Sequence, residues 1–256
     1  MQQKMKKIYF VSDAHFGSLL IQNAHEQEKK LVRWLDFISN DASELFLMGD
    51  IFDFWYEYHT VIPKGFVRVL GKLAELSDNG LPIHFFTGNH DMWTFGYLEQ
   101  EIGCIVHRSP EMIERNGKQF FLAHGDRLGE HSLGVKVIQA IFHNRMCQQL
   151  FGWIPPRLGL SFGLRWSRSN RLKPARKGYD SFLGEERETL IQFAKKMAEQ
   201  TNPDYFVFGH RHIPLDLKIN AKSHVIILGD WITHFTYGVF DGENLSIEYF
   251  EPQQEH

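Results

Sequence analysis

The 256-residue sequence contains only two cysteines and no long apolar run. Cys104 and Cys147 are too few for the disulfide framework of a secreted domain, and they fit a reducing cytoplasm better. No segment approaches the roughly 18 apolar residues of a transmembrane helix. In residues 1–13 a carboxylate interrupts the apolar run too early for the core of a signal peptide. These absences predict a globular protein of the cytoplasm.

Acidic residues are missing from one long segment. Between His131 and Gly178 the chain has nine lysines and arginines and neither aspartate nor glutamate. The rest of the chain has 19 basic and 31 acidic residues, although the net charge of the whole is only −3. This asymmetry predicts that the segment contacts an anionic partner.

Short apolar runs alternate with amphipathic helical patterns. The runs are rich in β-branched and aromatic residues, as buried strands are, and they cover 8–15, 45–50, 83–91, 120–126, 205–212 and 225–230. Apolar residues follow helical spacing within 31–38 and 65–80. The alternation predicts an α/β fold with a parallel sheet. The tail predicts an antiparallel hairpin or meander with strands near 225–229, 235–240 and 245–250.

Residues of the metal-ligand type follow five of these runs. Ligands bind outside the carboxyl ends of strands in an open α/β sheet, so we expect these residues to meet. Burying so many ionisable groups together would be costly unless cations were bound between them. Carboxylates, imidazoles and an amide oxygen suit two divalent cations, with Mn²⁺ as the first choice and Fe²⁺ or Zn²⁺ as alternatives. The residues are Asp13, His15, Asp50, Asn89, His90, His124, His210 and His212.

These residues form five ordered motifs: Asp-x-His at 13–15, Gly-Asp at 49–50, Gly-Asn-His-Asp at 88–91, His-Gly at 124–125 and Gly-His-x-His at 209–212. Their order resembles the calcineurin-like metallophosphoesterases. The resemblance implies a single metallophosphoesterase domain over residues 1–256, folded as a four-layer α/β/β/α sandwich with a dimetal centre. A hydroxide held between the two ions would attack a phosphoester or phosphoanhydride, because the ions lower the pKa of bound water.

The resemblance also assigns each ligand to an ion. The first ion would be held by Asp13, His15 and His212. The second would be held by Asn89, His124 and His210. Asp50 would bridge them, since the two oxygens of a carboxylate can reach ions about 3.5–4 Å apart. The histidines of the His-x-His motif would share one face of a strand and so reach adjacent ions.

The loop at 88–91 carries the expected catalytic residues. Asn89 would supply a neutral oxygen to the second ion. His90 would lie beside the reacting phosphate, where it would stabilise charge or protonate the leaving group. Asp91 would orient a neighbouring histidine. The role of Asp53 stays open between support of the site and a helix cap.

The basic segment belongs to an insertion, residues 128–178, whose helical patterns carry more apolar side chains than an exposed helix would. Two interpretations stay open. The insertion is either a helical hairpin that packs its apolar face on the domain's own core, or a lid over the metal centre. The apolar side of a lid would take acyl chains, and its basic side would contact phosphates and an anionic membrane surface.

This combination resembles one branch of the family, the UDP-2,3-diacylglucosamine pyrophosphate hydrolases of lipid A synthesis, as do the phrases "GDIFDFW" at 49–55 and "HGDRLG" at 124–129. The resemblance implies cleavage of UDP-2,3-diacylglucosamine to UMP and 2,3-diacylglucosamine 1-phosphate, at the inner face of the cytoplasmic membrane. The best-studied subgroup has arginine where this chain has His90, which keeps other phosphodiesters open. Candidate substrate-binding residues are Arg168, Lys173, Arg176 and Lys177.

Two other function classes stay open. One is a soluble phosphodiesterase or nuclease, because a basic segment can bind nucleic acid through phosphate contacts. However, large aliphatic residues interleave the basic ones and the whole chain is acidic, so no nucleic-acid partner is expected. The other is a non-catalytic scaffold of the same fold, which loss of metal ligands would mark. All seven expected ligands are present.

Overall fold

A computed structural model describes residues 6–129, 132–172 and 181–250. The first of its two β-sheets contains β1 Lys7–Val11, β2 Ala42–Leu47, β3 Ile83–Phe86, β4 Ile105–His107, β10 Thr236–Phe240 and β11 Leu245–Tyr249. The spatial order is β11–β10–β1–β2–β3–β4. β1 to β4 run parallel, β10 is antiparallel to β1, and β10 and β11 form a hairpin.

The second sheet contains β5 Glu111–Arg115, β6 Lys118–Ala123, β7 Tyr205–Phe208, β8 Pro214–Lys218 and β9 His224–Leu228. Its order is β5–β6–β7–β9–β8. The central strands β6, β7 and β9 are parallel, whereas the edge strands β5 and β8 are antiparallel to their neighbours.

Helices lie outside both sheets. They are α1 Ala24–Ile38, α2 Val67–Asp78, α3 Tyr97–Glu101, α4 Leu133–His143, α5 Arg145–Gly152, α6 Pro156–Arg171 and α7 Thr189–Ala198. Apolar residues of α1 and α2 pack on the first sheet, and those of α7 pack on the second. Between the sheets lies an aromatic core in which Phe10 and Phe46 stack with ring centres 5.0 Å apart. The expected four-layer α/β/β/α sandwich is confirmed.

Strand β1 shows why the buried strands appear as continuous apolar runs. Ile8 and Phe10 face the second sheet, whereas Tyr9 and Val11 face the helices α1 and α2. Successive side chains point to opposite sides of a strand, and here both sides are covered. The strand therefore carries no polar alternation.

The insertion contains α4, α5 and α6 and is fixed to the core by hydrogen bonds to its main chain. Trp93 Nε1 donates to the carbonyl oxygen of Phe142 at 2.9 Å. The Tyr56 hydroxyl donates to the carbonyl oxygen of Gln148 at 2.7 Å. Both donors come from the segments that follow metal-ligand motifs, so the insertion is held beside the carboxyl ends of the strands.

The apolar side chains of the insertion are largely exposed. No residue of α4 or α5, both fully described, is buried. The buried residues of α6 are Gly159, Gly163 and Ser167, and a Cβ on Gly163 would overlap the ring of Phe54. Phe142 of α4 and Phe151 of α5 nevertheless contact Trp93 of the core, with ring centres 5.5 and 4.7 Å apart. The choice between a packed hairpin and a lid therefore stays a prediction. No helix in the described ranges is long and apolar enough to cross a membrane.

The second sheet differs from the sequence expectation. The strand at 224–228, expected in a C-terminal meander, pairs instead with β7 and β8. Only β10 and β11 form the expected hairpin, with Asp241 and Gly242 in its turn. The short strands β4, β5 and β8 were not expected from the sequence.

Candidate metal centre

The expected ligands come together where the carboxyl ends of both sheets meet. Strands β1 to β3 lead to one set, which is Asp13, His15, Asp50 and Asn89. Strands β6 and β7 lead to the other set, which is His124, His210 and His212. Five of the seven have left-handed backbones, with φ of 54° at Asp13, 46° at His15, 53° at Asp50, 68° at His210 and 55° at His212. Non-glycine residues seldom adopt this conformation, and such strain clusters at functional sites.

The His-x-His motif is not part of a strand, contrary to expectation. β7 ends at Phe208, and both histidines follow in the left-handed loop. His210 belongs to one group of ligand atoms and His212 to another. The loop, rather than the alternation of a strand, directs the two rings.

Glycines of the motifs leave room for the ligand side chains. A Cβ on Gly49, where φ is +92°, would lie 2.6 Å from His124 Nδ1. A Cβ on Gly88 would overlap the carboxylate of Asp50. Glycine is therefore required at both positions for the strand ends to approach each other so closely.

Asp13, His15 and His212 form the first group of ligand atoms. Asp13 Oδ1 lies 3.6 Å from His15 Nε2 and 3.4 Å from His212 Nε2. Asp13 Oδ1 and His15 Nε2 are buried without a hydrogen-bond partner. Buried polar atoms are normally satisfied, so this group has the geometry of a cation site.

Asp50, His124 and His210 form the second group. His124 Nε2 lies 3.3 Å from Asp50 Oδ2 and has no hydrogen-bond partner. The other ring nitrogen, Nδ1, donates to the carbonyl oxygen of Met48 at 2.9 Å, which leaves the Nε2 lone pair for a ligand. The side-chain oxygen of Asn89 is a further buried acceptor without a partner.

Asp50 lies between the two groups. Its Oδ2 is 3.6 Å from His15 Nε2 of the first group and 3.3 Å from His124 Nε2 of the second. Its Oδ1 accepts a hydrogen bond from the main-chain N–H of His90 at 2.9 Å. The carboxylate is thus oriented so that one oxygen faces ligands of both groups.

Carboxylates also lie against the outer ring nitrogens of two ligands. His15 Nδ1 is 3.3 Å from Asp53 Oδ1, and His212 Nδ1 is 3.4 Å from Asp230 Oδ2. Such partners fix the tautomer and orientation of a metal-binding histidine. Asp53, whose role the sequence left open, lies buried beside His15, but its oxygens and His15 Nδ1 make no hydrogen bond, and it forms a further group of ligand atoms with His15 and His90.

Asp230 was missed by the sequence reasoning. Burial by itself would raise the pKa of its carboxyl, but hydrogen bonds from His212, His234 and main-chain N–H groups lower that pKa well below the usual range. The carboxylate is thus ionised and positioned. A signal was present, because Gly229-Asp230 ends an apolar run as Gly49-Asp50 does.

Asp91 does not orient a histidine as expected. Its carboxylate accepts hydrogen bonds from the main-chain N–H groups of Gly88 at 2.8 Å, Ile51 at 2.8 Å, Asp50 at 3.3 Å and Phe52 at 3.3 Å. Both carboxylate oxygens are therefore occupied by the backbone. Asp91 instead joins the loop at 50–52 to the loop at 88–91 and so places Asp50.

The charges of the site fit bound divalent cations. Burial raises the pKa of the Asp13 carboxyl and lowers the pKa of the His15 imidazole well below its usual value. Metal ions bind carboxylates that are ionised and imidazoles that are neutral. The low pKa of His15 already favours the neutral imidazole, and a bound cation would offset the cost of ionising the buried Asp13. Together with the unpartnered buried atoms, this donor set of oxygens and imidazole nitrogens fits two such ions.

Residues 6–214 match the sequence model of the family described as calcineurin-like phosphoesterase. The chain belongs to this family. It is 40% identical to the UDP-2,3-diacylglucosamine hydrolase of Porphyromonas gingivalis, an alignment that covers 97% of this chain and 99% of that protein. Proteins of the same name from Histophilus somni and Edwardsiella ictaluri are 23% and 26% identical, covering 89% and 88% of this chain and 93% and 85% of their own lengths. The family and the ligand groups together make the chain a metal-dependent hydrolase.

An apolar cavity of about 640 Å³ opens on this phosphoesterase centre. Asn89, His90 and His210 line it at the centre. Nδ1 of His90 donates to the carbonyl oxygen of Asp53 at 2.8 Å, which fixes the ring. Most of the remaining wall comes from apolar residues of the core and the insertion, including Trp55, Trp93, Ile138, Phe142, Phe151, Phe162 and Trp166.

One cation of the insertion reaches the phosphoesterase centre. Arg171, in the last turn of α6, lies with its Nη2 3.0 Å from Asp53 Oδ1. Arg171 stands in no motif of the sequence, although Arg165, Arg168 and Arg171 recur at helical spacing. Arg168 is exposed on α6. The other expected substrate-binding residues, Lys173, Arg176 and Lys177, lie outside the described residues.

Proposed function

We propose that this protein hydrolyses UDP-2,3-diacylglucosamine to UMP and 2,3-diacylglucosamine 1-phosphate. The observation that carries the proposal is the apolar cavity that opens directly on the candidate metal centre. A diphosphate bound at the centre would place the attached acyl chains in that cavity, which suits a lipid substrate and is unnecessary for a water-soluble one. The 40% identity to a protein named for this activity supports the same substrate.

In this proposal Asp13, His15 and His212 would hold one cation, and Asn89, His124 and His210 would hold the second. Asp50, which faces ligands of both groups, would contribute to both. Two divalent cations, Mn²⁺ in our proposal with Fe²⁺ or Zn²⁺ as alternatives, would supply Lewis acidity and an activated water when bound. Asp53 and Asp230 lie against the outer ring nitrogens of His15 and His212 and would orient these rings, and Asp91 holds the loop that carries Asp50.

His90 is the group that we assign to the reacting phosphate. Its Nδ1 is committed to the carbonyl oxygen of Asp53, so Nε2 is the nitrogen left to act on a ligand in the cavity. A protonated Nε2 would donate to the phosphate oxygen on which charge develops, or to the leaving oxygen. Asn89, adjacent in the chain, borders the same cavity.

We further propose that residues 128–178 act as a lid and as the contact with an anionic membrane, at the inner face of the cytoplasmic membrane. Leu133 and Trp153 are 81% and 84% exposed on the insertion. Basic side chains on the same segment include Arg157, Arg165 and Arg168. Exposed Trp and Leu beside Arg match the interface of an anionic bilayer, which is also where a diacyl substrate resides.

Phosphorus NMR in ¹⁸O-labelled water tests the reaction, using purified protein with Mn²⁺ and UDP-2,3-diacylglucosamine. We expect the label in UMP, which corresponds to attack at the uridine-side phosphorus. Asp50→Asn is the control for metal-dependent turnover. Label in the glycolipid phosphate would contradict the expected side of attack. No turnover, in a preparation that still cleaves bis-p-nitrophenyl phosphate, would reject the substrate and favour another phosphodiester.

A further inference from the structure

A second cavity reaches the metal centre from another side. It has a volume of about 210 Å³ and is lined by the loops that follow β3, β4 and β6. Gly88 and His124 form its inner end. We call it the polar cleft, because its wall includes Thr87, Arg108, Ser109, Arg127 and His143.

We propose that the polar cleft binds the nucleotide half of the substrate, with Arg127 as its principal cation. The inference rests on the proposed function, because it locates one part of the proposed substrate. The ligand class is a pyrimidine nucleoside monophosphate unit, the part of the substrate that leaves as UMP.

The first support is the contrast between the two cavities. The apolar cavity has a large aromatic and aliphatic wall, much of it from the insertion, beside a few charged residues. The polar cleft lacks that aromatic wall, and its arginines, hydroxyls and imidazoles stand beside Phe86, Pro110 and Leu128. Both cavities include Gly125 and Asp126 in their walls, so they adjoin at the centre. The proposed substrate has the same division, with a diacyl half and a charged nucleotide half joined by the diphosphate.

The second support is the state of the cations in the cleft. Arg108 is fixed at the rim, because its Nη2 donates to the Thr94 carbonyl oxygen at 3.1 Å and to Glu99 at 2.8 Å. Arg127 is exposed, and within the described residues it forms neither a hydrogen bond nor an ion pair. A guanidinium with unused donors matches phosphate oxygens and ribose hydroxyls.

The third support is size and attachment. A volume of about 210 Å³ suits a nucleoside and excludes a diacylglucosamine with its chains. The cleft is tied to the insertion, since Gln139 of α4 donates to the carbonyl oxygen of Asp126 at 3.0 Å. Asp126 belongs to the wall that the two cavities share, so this hydrogen bond connects the insertion to that wall.

Binding of UMP to the full chain loaded with Mn²⁺, measured by calorimetry, tests the proposal. Arg127→Gln and Arg127→Glu are compared with wild type and with Lys218→Glu, which changes an exposed lysine of β8 outside both cavities. We expect wild type to bind UMP more tightly than inorganic phosphate. We expect Arg127→Glu to weaken UMP binding by about tenfold, as loss of a charged hydrogen bond does. Lys218→Glu should bind UMP as wild type does.

Equal UMP affinity in wild type and both Arg127 variants would overturn the proposal, as would a wild type that binds UMP no better than phosphate. In hydrolysis of UDP-2,3-diacylglucosamine, Arg127→Glu should raise KM more than it lowers kcat. Failure of wild type to hydrolyse this lipid would reject the proposed function, whereas the UMP titration would still decide the cleft. Normal lipid hydrolysis with unchanged UMP affinity would reject the cleft alone.

Discussion

At the scale of single residues, the candidate centre concentrates backbone strain. Five ligands have positive φ, and each such residue costs on the order of 1–3 kcal/mol unless its surroundings hold it. The surroundings do so here, since the Asp91 carboxylate fixes four main-chain N–H groups of the ligand loops. The ligand side chains are therefore oriented by the fold before a cation arrives.

Gly88→Ala tests this close approach. The new Cβ would overlap the Asp50 carboxylate, so we expect bound Mn²⁺ to fall and activity to drop by about a hundredfold, as displacement of catalytic groups does. Metal content by mass spectrometry and turnover of bis-p-nitrophenyl phosphate measure both effects. Gly71→Ala is the matched control, because a Cβ there meets open space on α2. Full metal content in Gly88→Ala would show that Asp50 can move without loss.

His90→Ala tests the group assigned to the phosphate. We expect kcat to fall by about 10²–10³-fold while Mn²⁺ content stays as in wild type, because His90 would act on the substrate rather than on the ions. His59→Ala, an exposed histidine away from the centre, is the control. Wild-type turnover would remove His90 from the reaction, and loss of metal would make it a ligand.

The metal ligands could be predicted from the sequence because each of them stands in one of the five motifs. All seven expected ligands lie at the meeting point of the strand ends. Asp230 carried the same signal, since Gly229-Asp230 ends an apolar run, whereas Arg171 belongs to the insertion and follows no strand. Their proximity to ligands depends on how distant parts of the chain pack.

At the scale of elements, the buried central strands were predictable and the edge strands were not. β5 alternates half-buried and exposed residues and carries Glu111, Glu114 and Arg115. β8 begins at Pro214, and Pro is tolerated on an edge because its missing N–H faces no partner. Neither β5 nor β8 has the continuous apolar run by which a buried strand can be recognised, so the sequence does not predict these two strands.

An ion pair joins the two sheets near this edge. Arg115 on β5 donates to Glu44 on β2 through Nε at 2.6 Å and Nη2 at 2.8 Å. Burial alone would raise the pKa of Glu44, but hydrogen bonds from His84 and Arg115 lower it to about 2. Because the folded pKa lies below the usual value of 4.5, this interaction stabilises the fold above that pH and is lost as pH falls toward about 2.

Glu44→Gln should therefore lower the free energy of unfolding by about 1–2 kcal/mol at neutral pH. We expect no larger effect, because the Arg115 side chain is partly exposed and solvent screens the ion pair. The difference from wild type should shrink as pH falls toward about 3, because wild type then loses the same interaction. Urea unfolding across this range measures both effects. Glu243→Gln, at an exposed turn, is the control. A difference that does not depend on pH would contradict the pKa argument.

At the scale of the whole molecule, basic and apolar side chains lie together on one insertion of an otherwise acidic chain. Among the large apolar side chains of the described residues, Trp153 and Leu133 have the largest exposed fractions, 84% and 81%. The composition of the insertion predicted an anionic partner, but it did not predict whether the apolar side chains would be buried or exposed. That outcome depends on how α6 packs against the core, which the composition does not specify.

The double variant Leu133→Ser and Trp153→Ser tests the membrane contact. We expect binding to vesicles containing phosphatidylglycerol to weaken by at least about tenfold, since each side chain contributes buried apolar area at the interface. Sedimentation with vesicles measures the bound fraction. Val67→Ser, which removes a 75% exposed apolar residue from α2, is the control. Equal loss in the control variant would indicate nonspecific adhesion.

The position of β1 has a consequence for how the chain is made. β1 contains residues 7–11, and its two neighbours are β2, residues 42–47, and β10, residues 236–240. A ribosome makes β2 soon after β1, but it makes β10 only after the insertion and the strands of the second sheet. One edge of β1 therefore stays open while the apolar insertion emerges, and open edges recruit other chains. The first sheet is therefore completed only after all strands of the second sheet have been made, and until then the open edge of β1 needs shielding.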